Sequence, residues 1–264
     1  MVSQEYALRD LNPVQMAFSK QAKHYDEDDR QNQVLQDMRQ QVYRHVSHFL
    51  KSNCRILELN AGTGIDALHF AKQGHWVLAT DASGGMVSEV ERKISCHQLQ
   101  DRFTCQQRSY DQLDQLTGKK FDYVFSNFGG LNCIDDLSKV TTGLSKIITP
   151  GAFVTWVIMP PICLWELLWI FKGHIKQAFR RFHRNGVIAH LEGEYFKTYY
   201  HSLSQIKKAF GPDFRLIKSE GLCALSPPPS RSHFPAQHPR LYNFLRRIDL
   251  ALRSSFPFNR YADH

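Results

Sequence analysis

Residues 55–85 read RILELNAGTGIDALHFAKQGHWVLATDASGG, and the order of elements in this stretch decides the fold. Ile56-Leu57-Glu58-Leu59 is an apolar run of the kind that forms a buried strand, and it leads into a turn of small residues, Asn60-Ala61-Gly62-Thr63-Gly64. A helix is predicted from about Asp66 to Gln73, with Leu68 and Ala71 on its inner face. A second apolar run, Trp76 to Thr80, ends on Asp81. Strand, glycine turn, helix, strand and terminal acid is the outline of a nucleotide-binding βαβ unit. Gly62 and Gly64 let the backbone approach a ligand where a side chain would block it. Asp81, about 20 residues beyond the turn, can accept both hydrogen bonds of a ribose diol.

Two cofactors suit that outline. Gly62-Thr63-Gly64-Ile65-Asp66-Ala67 matches the dinucleotide fingerprint G-x-G-x-x-A. Glu58 speaks against a dinucleotide, because a carboxylate just ahead of the turn is out of place beside a pyrophosphate. A sulfonium ligand with an α-amino group tolerates it. Read this way, Glu58 to Gly64 resembles motif I of the class I S-adenosylmethionine-dependent methyltransferases, with Asn60 in place of the family's first glycine. Asn tolerates positive φ better than most residues. The resemblance implies that Asn60, Ala61, Gly62 and Gly64 line the cofactor and that Glu58 orients the loop or receives the amine through water.

Further stretches resemble the same family in the same order. Asp81-Ala82-Ser83-Gly84-Gly85-Met86 is similar to its D-x-S-x-x-M, which would put Ala82 and Met86 beside the adenine. After a third strand at Phe103–Gln107 the expected acid is displaced, so Ser109, Tyr110 or Asp111 would serve the adenine amino group. Phe121 to Asn127 resembles motif IV, whose end adjoins the reactive methyl, so Asn127 and Phe128 would line the reaction centre. Its S-N-F-G ending lacks the N-P-P-Y pattern that nucleic-acid and protein amide methyltransferases often carry. Pro150-Gly151-Ala152-Phe153 is similar to the turn before the fifth strand, read here as Ala152–Ile158. Upstream, Phe18 to Asp26 is similar to the F-x-x-x-A-x-x-Y-D opening of the small-molecule branch, in which Tyr25 would line the methionine end.

The implied fold is α/β, a Rossmann-like doubly wound and mostly parallel sheet with helices on both faces. Residues 1–50 would form an N-terminal helical cap, 51–159 the cofactor-binding core, 160–200 a lid or substrate insertion, and 201–264 the completion of the core. Within the cap, Val34, Leu35, Met38, Val42, Val46, Phe49 and Leu50 recur at helical spacing over 14–50. Residues 137–148 and 203–210 read as helices, 195–200 as β-prone, 214–221 as a sixth strand, and 241–252 as an amphipathic helix. The family's last antiparallel strand is expected to be short or absent.

Residues 154–171 are almost wholly apolar, but Pro160-Pro161 interrupts them and Glu166 lies in the second part, leaving too short a run to span a membrane. A helix to about Arg184 is expected next, with Lys172, Lys176, Arg180, Arg181 and Arg184 among Phe171, Ile175, Phe179 and Phe182. This segment admits three readings: a lid over a greasy substrate, a helix packed on the core, or peripheral contact with a membrane.

The formal charge of +8 suits an anionic partner, yet it is also common among soluble enzymes. The six cysteines have no metal-ligand spacing, so no metal is expected and reduced, cytoplasmic thiols are the default. MVSQEYALRDLNP has no apolar core of a signal peptide. The resemblance thus implies methyl transfer from S-adenosyl-L-methionine to O, N or C of a small, hydrophobic or aromatic metabolite. The alternatives are an RNA methyltransferase, with nucleic acid the weaker partner, and a non-catalytic S-adenosylmethionine-binding protein. His174, His183, His190, Tyr199 and His201 lie in the variable region without a motif, so no catalytic base is assigned.

Overall fold

The computed structural model describes residues 12–116 and 118–264. The first eleven residues of the expected cap, with most of the stretch read for a signal peptide, lie outside the described residues. Five strands form one parallel sheet: β1 (Arg55–Leu59), β2 (Trp76–Asp81), β3 (Phe103–Gln107), β4 (Phe121–Ser126) and β5 (Ile148–Trp156). Their spatial order is β3-β2-β1-β4-β5. The chain therefore winds outward from β1 to β3, returns, and winds the other way from β4. That reversal opens a crevice between β1 and β4 at their carboxyl ends, the usual binding place in such sheets. The expected Rossmann-like fold is present.

Side-chain alternation explains why both faces are covered. Ile56, Val77, Ala79, Tyr123 and Phe125 face one layer, built from α2 (Gln33–Ser47), α3 (Ile65–Lys72) and α4 (Gly84–His97). Leu57, Leu59, Leu78 and Val124 face the other, covered by α5 (Ser138–Ile147) and the 3₁₀ turn Tyr110–Gln115. Strands buried on both sides read as continuous apolar runs, which is how they appear in the sequence. Glu58 alternates onto the α3 side. The inner face of α3 is Ala67, Phe70 and Ala71, while Leu68, expected inward, is half-buried.

Four expectations are corrected. The single helix over 14–50 is two helices, α1 (Pro13–Gln31) and α2, because Asn32 stops the first and its side chain caps Val34 and Leu35 of the second. The fifth strand starts earlier, at Ile148, and ends at Trp156. The helix to Arg184 is replaced by short turns at Leu164–Leu167, Leu168–Lys172, Ile175–Ala178 and Arg180–Phe182, broken where Gly173 takes φ 77°. Residues 214–221 form no strand. Glu220 is instead drawn to His45 of α2 (2.9 Å) and to Ser254 (2.9 Å), and Gly221 lets the Phe258 carbonyl approach to where a Cβ would clash. A cavity of about 210 Å³ remains beside β5, lined by Trp156, Ile158 and Leu216 among others.

The β-prone stretch at 195–200 is the second strand of a hairpin whose first strand and turn went unread in the sequence. β6 (Val187–Leu191) pairs antiparallel with β7 (Glu194–Thr198) through Glu192-Gly193, both at positive φ, the two-residue turn that matches strand twist. It lies between α1 and the 3₁₀ turn Gly130–Cys133. Phe18 meets Phe196 at 6.0 Å and Lys20 pairs with Glu194 at 2.6 Å. On the other side, Asn132 and Tyr199 exchange backbone and side-chain hydrogen bonds. α6 (Leu203–Phe210) packs on α5, and α7 (Pro239–Leu252) docks on α2 through Tyr242 and Arg246 to Asp37. No described helix is long and apolar enough to cross a membrane.

The cap rests on α4 through a glycine. A Cβ at Gly85 would sit 2.7 Å from the Ser19 carbonyl oxygen and 2.8 Å from its Cα, so α1 would have to move. Gly85→Ala should therefore destabilise the protein by about 1–3 kcal/mol, the usual cost of overpacking. A lowered midpoint in urea unfolding is the check.

Candidate active site

The turn after β1 is shaped by three left-handed residues: Asn60 (φ 52°), Gly62 (φ 55°) and Gly64 (φ 78°). Asn60 accepts that conformation without the family glycine, and its amide reaches Ser126 Oγ across the β1–β4 crevice at 3.4 Å. Gly64 is packed, since a Cβ there would lie 3.0 Å from Val90. Gly62 is different: a Cβ would meet nothing within 4 Å, so the turn faces open space there. Beside it, Asp81 accepts the Gly62 and Ser83 N–H groups, one on each carboxylate oxygen, both at 2.9 Å. Burial raises its pKa against those donors, and each oxygen keeps acceptor capacity for a ligand.

Glu58 lies directly beneath. It is buried, with the Ala67 N–H at the start of α3 favouring its charge, and leaves Oε2 without a partner. Burial, then the Asp66 charge, push its pKa well above the carboxylate range. An uncompensated buried carboxyl is expensive unless it stays protonated or a cation arrives.

The counter-charge comes from the cap. Arg39 of α2 is buried, and its two Nη atoms each reach 2.5 Å from Asp29 of α1 and Asp66 of α3. Asp66 also accepts from Tyr43 (2.6 Å) and from the Asn127 amide (2.9 Å). Burial opposes ionisation of Asp66, but Arg39, Tyr43 and Asn127 outweigh it and hold the carboxyl low. Arg39 Nε is buried with no partner. Within one cluster, therefore, an acceptor on Glu58 and a donor on Arg39 are both unmatched. An α-amino acid group carries the complementary pair, an ammonium and a carboxylate.

The remaining predicted residues fall into two groups. Tyr25 joins the cluster: burial raises its phenol to about 12, with Arg39 and three aspartates in electrostatic range. Asn127 is buried, donating to Asp66 and accepting the Phe128 N–H, while the Phe128 ring lies under Arg39 at 4.7 Å. Ala61 and Ala82 are half-buried around the turn and Asp81. Met86 is buried in the first turn of α4. Tyr110 is half-buried within electrostatic range of Asp81, Ser109 precedes it at the head of the 3₁₀ turn, and Asp111 is exposed. Arg39, Asp29 and Asp66 were not read from the sequence. Their signal is a charge beside an apolar stripe, Met38-Arg39, and an acid in the first turn of α3, both more common on solvated faces. Asp26 is a further anchor, accepting from Thr63 in the turn and pairing with Lys93.

A glycine turn open at Gly62, an acid at the end of β2 and a charged cap describe a cofactor cradle, and the sequence match is specific. Residues 56–151 match a family model described as "Methyltransferase domain". Over that third of the chain the sequence is similar to that methyltransferase domain. No curated protein matches the chain in sequence. Among solved structures, the CcbJ methyltransferase from Streptomyces caelestis is 21% identical, over 55% of this chain and 58% of that one, with a TM-score of 0.45. The DhpI complex with SAH is 19% identical over 74% and 83%, TM-score 0.48. A SAM-dependent methyltransferase from Methanosarcina mazei is 16% identical over 61% and 79%, TM-score 0.48. This chain thus spans little more than half the length of the Streptomyces protein.

At Glu58 stability and cofactor affinity are expected to pull apart. Its raised folded-state pKa means that the folded state holds a proton that the unfolded chain releases, so stability falls as pH rises above the ordinary glutamate value. Glu58→Gln removes that loss. Its melting temperature at neutral pH should exceed wild type by about 2–4 °C, with the gap closing toward pH 4. Affinity for S-adenosylmethionine should drop on the order of tenfold or more, since a hydrogen bond to a charged group is lost. Scanning fluorimetry across pH and titration calorimetry measure the two effects.

Proposed function

We propose that this protein transfers the methyl group of S-adenosylmethionine to O, N or C of a small, largely apolar or aromatic metabolite. The observation that carries the cofactor is the pair of unmatched buried groups, Glu58 Oε2 and Arg39 Nε, beside the open Gly62 turn. Bound there, S-adenosylmethionine supplies an electrophilic methyl on a sulfonium. The protein's own residues bind and orient: Asp81 accepts from the ribose, Glu58 takes the ammonium, and Arg39 the carboxylate. Tyr25 and Phe128 close the methionine end. In-line methyl transfer needs alignment and exclusion of water more than covalent help.

A small acceptor is supported by the β6–β7 hairpin, which spans from α1 to the turn after β4 as a lid over the strand ends. Within the expected 160–200 insertion, residues 187–200 then act as the lid, and residues 12–50 of the expected cap hold the cofactor. Asp81→Ala should abolish measurable S-adenosylmethionine binding in calorimetry, and wild-type protein should turn the donor over with one or more members of a phenol, amine and quinone panel. Unchanged affinity in the variant would sink the assignment of the cradle.

The segment ahead of the hairpin supports a membrane-surface reading of its own. Between Leu167 and Leu191 there is no acid, and Lys172, Lys176 and Arg184 stand among exposed Leu168, Ile170, Ile175, Phe179 and Phe182. Phe171 is 87% exposed at the bend made by Gly173. Apolar side chains ringed by cations complement an anionic bilayer surface. Wild-type protein should co-sediment with phosphatidylserine-containing vesicles more than with pure phosphatidylcholine, and Phe171→Ser with Lys172→Glu should reduce that binding at least severalfold. Equal binding by the variant removes this reading.

A further inference from the structure

A second buried charge cluster also reaches the Phe128 ring. Asp263 is buried, and its Oδ1 accepts from Arg181 at 2.7 Å while its Oδ2 meets His264 Nδ1 at 3.0 Å. Arg181 is also buried and pairs with Glu166, which in turn is held by both Nε and Nη2 of Arg180 at 2.7 Å. Cys163, Glu166 and Asp263 bring donor atoms together as a metal site would, but the Arg181 guanidinium already occupies the space between the two carboxylates. The clasp joins residues 163–181 to the segment 260–264. Burial opposes ionisation of Asp263, but His264 and Arg181 overcome it and bring its pKa down to about 2. Three buried charged groups, Asp263, Arg181 and Glu166, are a costly way to fasten two loops, since removing one partner from such a set strands the others.

The clasp leaves one group unused, and that group lies beside the turn that follows β4. His264 Nε2 makes no hydrogen bond among the described residues. It lies 3.6 Å from where a Cβ on Gly129 would sit. Gly129 directly follows Phe128 at the carboxyl end of β4, and the imidazole meets the edge of the Phe128 ring at 5.9 Å. Arg39 of the cofactor cluster lies over the same ring at 4.7 Å. One aromatic side chain thus separates the cofactor cluster from an imidazole whose far nitrogen is held by a carboxylate. A histidine with Nδ1 fixed by an ionised acid and Nε2 free is built to accept a proton and to be stabilised once it holds it.

We propose that His264 is the general base for the acceptor, that Asp263 and Arg181 are its positioning residues, and that the acceptor is a weakly acidic hydroxyl on an apolar or aromatic molecule. This rests on the cofactor reading above. In the step, the acceptor O–H bond breaks and its proton goes to His264 Nε2. The oxygen lone pair forms the O–CH₃ bond as the S–CH₃ bond breaks, leaving the neutral thioether. The imidazolium then releases the proton to solvent. The groups around the imidazole are Asp263 and Arg181 in the clasp, Glu166 and Cys163 behind them, Arg260, Glu220 and His201 on the adjacent cavity, and Arg39 beyond Phe128.

The test compares two phenols, unsubstituted phenol and 4-nitrophenol, at a pH where only the second is already ionised. His264→Gln should leave calorimetric affinity for S-adenosylmethionine within about twofold and lower kcat for phenol by about 10²–10⁴-fold, the usual worth of a positioned base. Turnover of 4-nitrophenol should change less than about tenfold, because no proton need be removed. In the variant, turnover of phenol should rise with pH in proportion to the phenolate fraction, while that of the already ionised 4-nitrophenol should not. Asp263→Asn should show the same selectivity more weakly; if it does not fold, His264→Gln decides alone. Equal loss on both phenols, no loss on either, or no methylation of either phenol by a wild-type protein that binds the cofactor would overturn the proposal. Failure of the wild type to bind S-adenosylmethionine would instead overturn the reading on which it rests.

Discussion

A single buried guanidinium holds the parts of this molecule in register. Arg39 comes from the second cap helix, Asp29 from the first, Asp66 from the helix after the glycine turn, and Asn127 reaches Asp66 from the end of β4. Four separate segments therefore converge on one salt-bridged cluster directly behind the cofactor turn. Such a cluster gives little net stability relative to an apolar replacement, but breaking it by removing one partner strands buried charge at a cost of about 3–5 kcal/mol. Its contribution is specificity of arrangement: the cap has one docking position in which all these groups are paired.

The same cluster sets the chemistry of the cradle. Asp66 stays ionised because Arg39, Tyr43 and Asn127 all favour its charge, and that negative charge then discourages ionisation of Glu58 a short way below. The free protein thus carries a carboxyl that prefers its proton and a guanidinium nitrogen without an acceptor. A zwitterionic ligand, as proposed above, would supply both missing partners at once. A site that is under-satisfied when empty and satisfied when filled gains affinity from groups whose pairing is absent beforehand.

The chain after β5 departs from a regular sheet for physical reasons that are local. Gly173 ends a helical run, Glu166 folds Arg180 and Arg181 back onto the core, and Gly221 admits the Phe258 carbonyl. The result places the hairpin over the strand ends and leaves an apolar, cationic face outward at Phe171. It also brings Asp263 and His264 against the Phe128–Gly129 turn, two residues with no pattern around them in the sequence.

Strand and helix order, the glycine turn and Asp81 were legible because each depends on local physics. Apolar runs bounded by turns make buried strands, positive φ needs Gly or Asn, and the acid at the end of β2 follows at a set spacing. The domain match over residues 56–151 agrees with that reading. What could not be read is long-range. Nothing in Met38-Arg39 distinguishes a solvated arginine from a buried one until Asp29 and Asp66 are brought around it by folding. The pattern Phe214 to Gly221 looks like a strand, and its alternation is real, but pairing depends on where Glu220 finds its partners, and these lie on α2 and beyond α7. Local periodicity thus specifies the elements and the glycine turn, whereas the burial of charge, which depends on partners far apart in the chain, arises only from the assembled fold.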